Sequence, residues 1–203
     1  MAIPPESRVA RALAAALRKG LAGSDAEPAG PGLLDAAVLV PLLDLAGRPA
    51  LLYLRRALDL PDHGGQVAFP GGLREPGDRD LAATALREAA EEVAVDPARI
   101  EVLGALPRVS TLAKYSIQPF LSLWPPGSYA PASPGEVDRV FQVPLAWLAD
   151  PTSSREVEIA LPARRLCAPA WCWEGEIIWG ATRRITLELL QRLAASGSGF
   201  GLE

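Results

Sequence analysis

The chain has 203 residues, 49% of them apolar, and a formal net charge of −4. That is enough for one domain with a substantial core and too short for two of ordinary size. No apolar run is long enough to span a bilayer, and the acidic balance leaves no general nucleic-acid footprint, so a small-molecule ligand is expected rather than nucleic acid or membrane.

Cys167, Cys172 and the lone His63 make no zinc-ligand set and exclude an H-E-x-x-H metalloprotease. A Ser-His-Asp triad would have to use His63, so hydrolytic chemistry is expected to rest on carboxylates. The spacing of the cysteines puts them on opposite faces of a continuous strand, as two reduced thiols of a cytoplasmic protein.

A helix is predicted over about residues 5–20, in MAIPPESRVARALAAALRKG. Arg8, Arg11 and Arg18 break any secretory apolar run, while Val9, Leu13 and Leu17 fit one packed face; an Arg-rich transit peptide is the alternative. A flexible linker over about 22–32 follows, marked by Gly, Pro and small polar residues. AAVLVPLL from Ala36 and PALLYLRR from Pro49 read as paired strands around DLAGR.

Residues 57–65 read as a polar loop, VAF as a short strand, and PGGLREPGD as a second loop. Asp80 is a candidate N-cap for a helix that runs to about Val93. RIEVLGAL and SIQPFLSLW read as strands, PPGSYAPASPGE as a long loop, VDRVFQV as a strand and PLAWLA as a short helix. EVEIAL, APAWCW and EIIWG read as strands before a closing amphipathic helix, ATRRITLELLQRLAAS. The mixture predicts an α/β (α+β) fold, one sheet system sandwiched by helices. Trp124, Trp147, Trp171, Trp173 and Trp179 are expected to be core or groove-lining residues.

LREAAEEV places Glu88, Glu91 and Glu92 on one helical stripe, with Ala82, Leu86, Ala89 and Val93 opposite. Three neighbouring carboxylates repel one another unless a cation joins them. A solvated face with an Arg87–Glu91 pair is the plain reading. The preceding GGQVAFPGGLREPGD favours another, because Gly71 and Gly72 let backbone approach a ligand closely. Carboxylates, a carbonyl and waters are the donors that Mg²⁺ or Mn²⁺ prefers.

The segment resembles the Nudix hydrolase signature, G-x5-E-x7-R-E-U-x-E-E-x-G-U, with Arg87, Glu88, Glu91 and Glu92 at its R-E and E-E positions. One extra residue lies between Gly72 and Arg87, Asp78 is the loop acid, and Ala89 and Ala94 replace the usual bulky residue and glycine. HGGQVAFPGG, TALREAAEEV, KYSIQPFL, EVDRVFQVPL and IIWGATRRI are similar to the coenzyme A pyrophosphatase branch, from about Leu51 to about Leu193. Pro61 and Leu54 stand where that branch tends to carry Arg and Thr.

The resemblance implies a single Nudix domain over residues 1–203, an α/β/α sandwich with a mixed β-sheet. It implies Mg²⁺- or Mn²⁺-dependent hydrolysis of coenzyme A to 3′,5′-ADP and 4′-phosphopantetheine, or of its thioesters to the acylated product. Glu88 and Glu92 would be the principal metal ligands, Glu91 a further ligand or water-orienting base, and Gly72 a carbonyl ligand. Arg87 would orient a glutamate. Arg55, Arg56 and Arg74 are phosphate-contact candidates, with plain surface solvation as the alternative, and so are His63 and Gly64. Glu136 is the candidate for a catalytic carboxylate from a distant loop, or else a solvated loop residue. ADP-ribose, NADH or nucleoside triphosphates are alternative substrates, and a non-catalytic nucleotide-binding module is a third reading. Oligomeric state is open, with a homodimer one option.

Overall fold

A computed structural model describes residues 8–18, 20, 21, 30, 32–111, 114–161 and 164–196. The expected linker falls mostly outside these residues. The first described helix is α1 (Arg8–Arg18). It buries Ala10, Leu13, Ala14 and Leu17, while Val9 is exposed. The packed face is therefore rotated from the Val9-Leu13-Leu17 row, because Ala10 and Ala14 permit closer approach to the sheet.

Strands β1 (Leu34–Leu45) and β2 (Arg48–Arg56) pair antiparallel. Ala46 and Gly47 both have positive φ, at 51° and 83°, the twist a two-residue hairpin turn requires. Asp44 Oδ1 accepts from the Gly47 amide at 2.6 Å and holds that turn. Alternate residues of β1 and β2 enter two different cores. Val40, Leu42, Leu51 and Tyr53 face one, and Ala37, Leu39, Leu52 and Leu54 the other. Both faces of the sheet are thus covered, as near-continuous apolar strands demand. Leu54 is fully buried in the second core.

β3 (Val67–Ala68) pairs with β2. β4 (Gly71–Leu73) pairs with β1, so the expected loop PGGLREPGD opens as a strand, with Ala37 opposite Gly72. Gly71 has φ 153°, and a Cβ there would stand 2.2 Å from the Ala37 carbonyl oxygen. Only glycine permits that approach.

Helix α2 (Leu81–Val93) begins where expected, with Asp80 Oδ1 accepting from the Ala83 amide at 2.7 Å. It ends at Ala94, which is left-handed at φ 51°. β5 (Glu101–Ala105), β6 (Val109–Ser110) and β7 (Tyr115–Leu123) follow. β7 lies parallel to β1 from Leu34–Tyr115 to Leu42–Leu123, while the other pairings of this sheet are antiparallel. β8 (Val137–Pro144) pairs with β2 and leads into α3 (Leu145–Ala149).

β9 (Ser154–Leu161), β10 (Arg164–Trp173) and β11 (Glu176–Ile178) form a separate three-stranded antiparallel sheet. This corrects the expectation of one sheet system. The local turn at Glu174 and Gly175, both with positive φ, closes β10 onto β11. Cys167 is exposed and Cys172 half-buried, and neither is bridged. Trp124 and Trp171 are buried, and Trp147 meets Trp173 edge-on at 4.8 Å.

α4 (Gly180–Ala195) packs with α1 against one face of the eight-stranded mixed sheet, and α2 covers the other. The result is a mixed α+β sandwich of helix, sheet and helix. No helix among the described residues is long and apolar enough to cross a membrane.

Candidate active site

α2 lies on β1 and β4, and its buried arc holds Leu81, Ala82, Ala85, Ala89 and Val93. Glu92 falls inside that arc, 3% exposed, so the three glutamates do not share one solvent stripe. Glu88 stands at its edge, with its side chain 19% exposed. Glu91 points outward, 57% exposed, with its Oε2 3.5 Å from Arg87 Nη1. Leu86, expected on the apolar face, is only half-buried.

The glycine turn meets the buried carboxylates directly. The Gly71 amide donates to Glu92 Oε2 at 2.9 Å. A Cβ on Gly72 would lie 2.4 Å from Glu88 Cδ and Oε1, so that carboxylate rests against the Gly72 main chain.

Arg87 holds this arrangement from behind. Its Nε and Nη2 donate to the two oxygens of Asp78 at 3.2 and 3.1 Å. Nη1 reaches Glu88 Oε1 at 2.9 Å, and Nη2 also donates to the Leu73 carbonyl at 3.1 Å. Asp78 is fixed in turn by the Glu75 amide and by buried Thr84 Oγ1, both at 2.9 Å. The Arg87 hydrogen bonds hold the Asp78 carboxyl well below the usual range, so the pair is charged throughout the working pH range. Sequence spacing marks Asp78 only as the loop acid; its two-pronged grip on Arg87 appears with the fold.

Glu136 arrives from the long loop at the start of β8. Its charge acts on both Glu88 and Glu92. Burial pushes Glu92 up to about 8; the Gly71 amide and Arg56 oppose the rise, and the charges of Glu88 and Glu136 add to it. Burial likewise raises Glu88, against the pull of Arg87. Three carboxylates thus share a field, and the charge of Arg56 acts against it at Glu92. Arg56 Nε is buried without a hydrogen-bond partner.

The remaining candidates divide. Arg55 is engaged elsewhere, with Nη1 on Glu176 at 3.0 Å and Nη2 on Asp138 at 3.4 Å. Arg74 is exposed and donates to the Asp78 carbonyl at 3.3 Å. His63 is left-handed at φ 59°, with Nδ1 3.1 Å from Gln66 Oε1. Its ring centroid lies 6.3 Å from that of Tyr115. Gly64 lets the loop close on itself, since a Cβ would stand 2.5 Å from the Leu58 carbonyl oxygen. Pro61 is exposed in the same loop.

Among the described residues no group of three Asp, Glu, His or Cys side chains makes a metal cage by itself. Glu88, Glu92 and the adjoining glycine main chain form a half-shell instead. Mg²⁺ accepts that, since it is commonly held by one or two carboxylates, with substrate phosphates and waters completing its octahedron. The raised Glu92 marks the same demand for positive charge. These residues fit a divalent cation.

Residues 33–161 match the NUDIX domain family. The chain belongs to that family and is a Nudix hydrolase, an enzyme acting on a pyrophosphate-containing compound. Nudix hydrolases generally use divalent ions such as Mg²⁺ or Mn²⁺. Among its relatives is the uncharacterized Nudix hydrolase NudL of Photorhabdus laumondii, 36% identical over 78% of this chain and 84% of that protein. The NudL of Citrobacter koseri is 39% identical over 76% of this chain and 80% of that protein. Two solved structures share the fold. RenU, a Nudix hydrolase from M. smegmatis, aligns over 91% of this chain and 98% of its own at TM-score 0.53 and 17% identity. A Nudix hydrolase from Nitrosomonas europaea aligns over 84% of this chain and 76% of its own at TM-score 0.51 and 16% identity.

Proposed function

We propose that the protein hydrolyses the pyrophosphate of coenzyme A and its thioesters, releasing 3′,5′-ADP and 4′-phosphopantetheine or its acylated form. The observation that carries the reading is that the string HGGQVAFPGG ends against α2, where Gly71 meets Glu92 and Gly72 meets Glu88. That string, with KYSIQPFL and IIWGATRRI, is what resembles the coenzyme A branch, whereas α2 alone serves any diphosphate. The single domain would be cytoplasmic.

Glu88, Glu92 and the Gly72 carbonyl would hold Mg²⁺ or Mn²⁺, which would supply Lewis-acid polarisation of the phosphoryl oxygens. Arg87 keeps Glu88 in place through Asp78 and does not touch substrate. Arg56, with its unspent donors beside Glu92, contacts the diphosphate, with Arg74, His63 and Gly64 as further phosphate contacts, while Arg55 is held by Glu176 and Asp138. Glu136 takes the proton of the attacking water. Its carboxylate makes no hydrogen bond or ion pair among the described residues, whereas Glu91 is drawn outward to Arg87.

A substrate panel tests this. Coenzyme A, acetyl-coenzyme A, dephospho-coenzyme A, ADP-ribose and NADH are each incubated with enzyme and Mg²⁺ or Mn²⁺, and the products are separated by chromatography. Coenzyme A and its thioester should have the highest kcat/KM, with dephospho-coenzyme A poorer by roughly tenfold to a hundredfold for loss of a charged contact. Faster cleavage of ADP-ribose with coenzyme A intact would overturn the specificity, and no metal-dependent turnover of any compound would overturn catalysis. Glu136→Gln should lower kcat more than it raises KM.

A further inference from the structure

Residues 125–136 read from sequence as an irregular loop after a strand ending at Trp124, yet main-chain and side-chain bonds fix the 124–136 segment at both ends. Trp124 is buried, its amide bonded to the Leu42 carbonyl at 3.1 Å and its Nε1 to Ser122 Oγ at 3.0 Å. Tyr129 packs edge-on against Trp124 at 5.3 Å, and its hydroxyl donates back to the Pro125 carbonyl. Its ring also packs against the apolar core beneath α2. The first half of the segment is thereby folded onto the sheet.

The second half crosses the end of the catalytic helix. The Ala132 amide donates to the main-chain carbonyl of Glu92 at 2.9 Å. The Ser133 carbonyl then accepts from both Glu136 and Val137 at 2.9 Å, and the Glu136 carbonyl accepts from the Ala57 amide at 2.8 Å. Ala57 follows Arg56, and Arg56 is itself opposite Val137 in the β2–β8 pairing. The segment is therefore bonded to the main chain of Glu92 through Ala132, and Glu136 to Ala57, the residue after Arg56.

We propose that residues 124–136 form a strap that sets Glu136 over the Glu88 and Glu92 carboxylates, with Tyr129 as its anchor and hence a positioning residue for catalysis. Among the described residues Tyr129 makes no hydrogen bond or ring contact with the carboxylates or with Arg56; it acts by holding the Trp124–Ala132 span at its working length. The inference rests on the reading of Glu136 as the proton acceptor.

The test measures kcat and KM, on whichever compound of the panel turns over fastest, for Tyr129→Phe, Tyr129→Ala, Glu136→Gln and the double variant Tyr129→Ala/Glu136→Gln. Tyr129→Ala should lower kcat about tenfold or more with KM within about twofold, and Tyr129→Phe should recover part of the loss by restoring the ring. The double variant should be no slower than Glu136→Gln alone, because both changes remove one contribution. Hydrogen exchange gives a reading independent of turnover: the Ala132 amide should exchange at least tenfold faster in Tyr129→Phe, with the Val40 amide unchanged. That measurement also decides the matter should Tyr129→Ala fail to fold.

Normal kcat in Tyr129→Ala, multiplying losses in the double variant, or unchanged exchange at Ala132 would overturn the strap while a slow Glu136→Gln left Glu136 standing. Normal kcat in Glu136→Gln would overturn both.

Discussion

The Glu88 carboxylate occupies the space that a side chain on Gly72 would fill, with Cδ 2.4 Å from the position of a Cβ. Gly71, one residue earlier, is blocked instead by backbone, at 2.2 Å from the Ala37 carbonyl oxygen. The two glycines should therefore fail differently. Gly72→Ala keeps an ordinary extended backbone and pushes Glu88 aside, so kcat should fall by about a hundredfold with little change in melting temperature. Gly71→Ala meets β1 itself and forces a side chain to φ 153°, so it should destabilise by roughly 1–3 kcal/mol. Thermal melts beside kinetics of both variants check the contrast.

Proton linkage at Glu92 gives the second prediction. Its folded carboxyl is pushed up to about 8 from an ordinary 4.5. Between those values the metal-free folded state keeps a proton that the unfolded state has lost. Stability must then fall as pH rises from about 4.5 to about 8, by on the order of a few kcal/mol. Glu88 is shifted in the same direction. Asp78, shifted the other way, matters only in acid below its ordinary value. A divalent ion keeps Glu92 deprotonated, so the rise in melting temperature on adding Mg²⁺ should be larger at pH 8 than at pH 6. Glu92→Gln should flatten both dependences and lower turnover by orders of magnitude. A pH-independent Mg²⁺ shift in the wild type would refute the linkage.

Arg55 and Arg56 are neighbours with opposite duties. Arg55 joins β2 to Asp138 on β8 and to Glu176 on β11, whose side chain is 5% exposed. Arg139 also reaches Glu176, at 2.9 Å, and so retains one partner for it. Arg55→Ala should cost about 1–3 kcal/mol of stability with near-normal kcat. Arg56→Ala should leave the melting temperature nearly unchanged and lower kcat/KM at least tenfold. Denaturation and steady-state kinetics on the two variants distinguish these outcomes.

Ala94 closes α2 in the left-handed conformation, at φ 51°, where the Nudix pattern carries glycine. A Cβ in that conformation costs roughly 1–2 kcal/mol, partly offset by the greater chain entropy glycine brings to the unfolded state. Ala94→Gly should raise stability by about 0.5–1 kcal/mol without altering kcat. A lowered urea midpoint would contradict it.

The sequence made α2 legible because an N-cap, an apolar arc and a helical run all agree over Asp80–Val93. The paired β1 and β2 were legible from apolar runs around a turn. β4 was not, because Gly71–Leu73 is too short for an alternation and its glycines have no side chains to alternate. The burial of Glu92 was not legible, because helical spacing alone puts it on one stripe with Glu88 and Glu91; a main-chain donor and a neighbouring cation let its carboxylate sit in the apolar arc. Nor does sequence say which of two adjacent arginines faces the carboxylates. That depends on β8 and β11, strands far along the chain. Glu136 was singled out by its place after the long loop, but the bonds that bring it back to Glu92 and Ala57 belong to tertiary structure.

The parallel union of β1 with β7 has a consequence for the order in which the molecule can form. β1 lies between partners made early, β2 and β4, and one made much later, so α2 is synthesised before the sheet it must cover is complete. Closing so long a loop is entropically slow, and non-local strand pairing of this kind lowers folding rates. A nascent chain ending before Tyr115 would expose the unpaired edge of β1 along Leu39–Leu42. Refolding should therefore be limited by the capture of β7, with hydrolytic activity returning in step with that event rather than with the formation of α2.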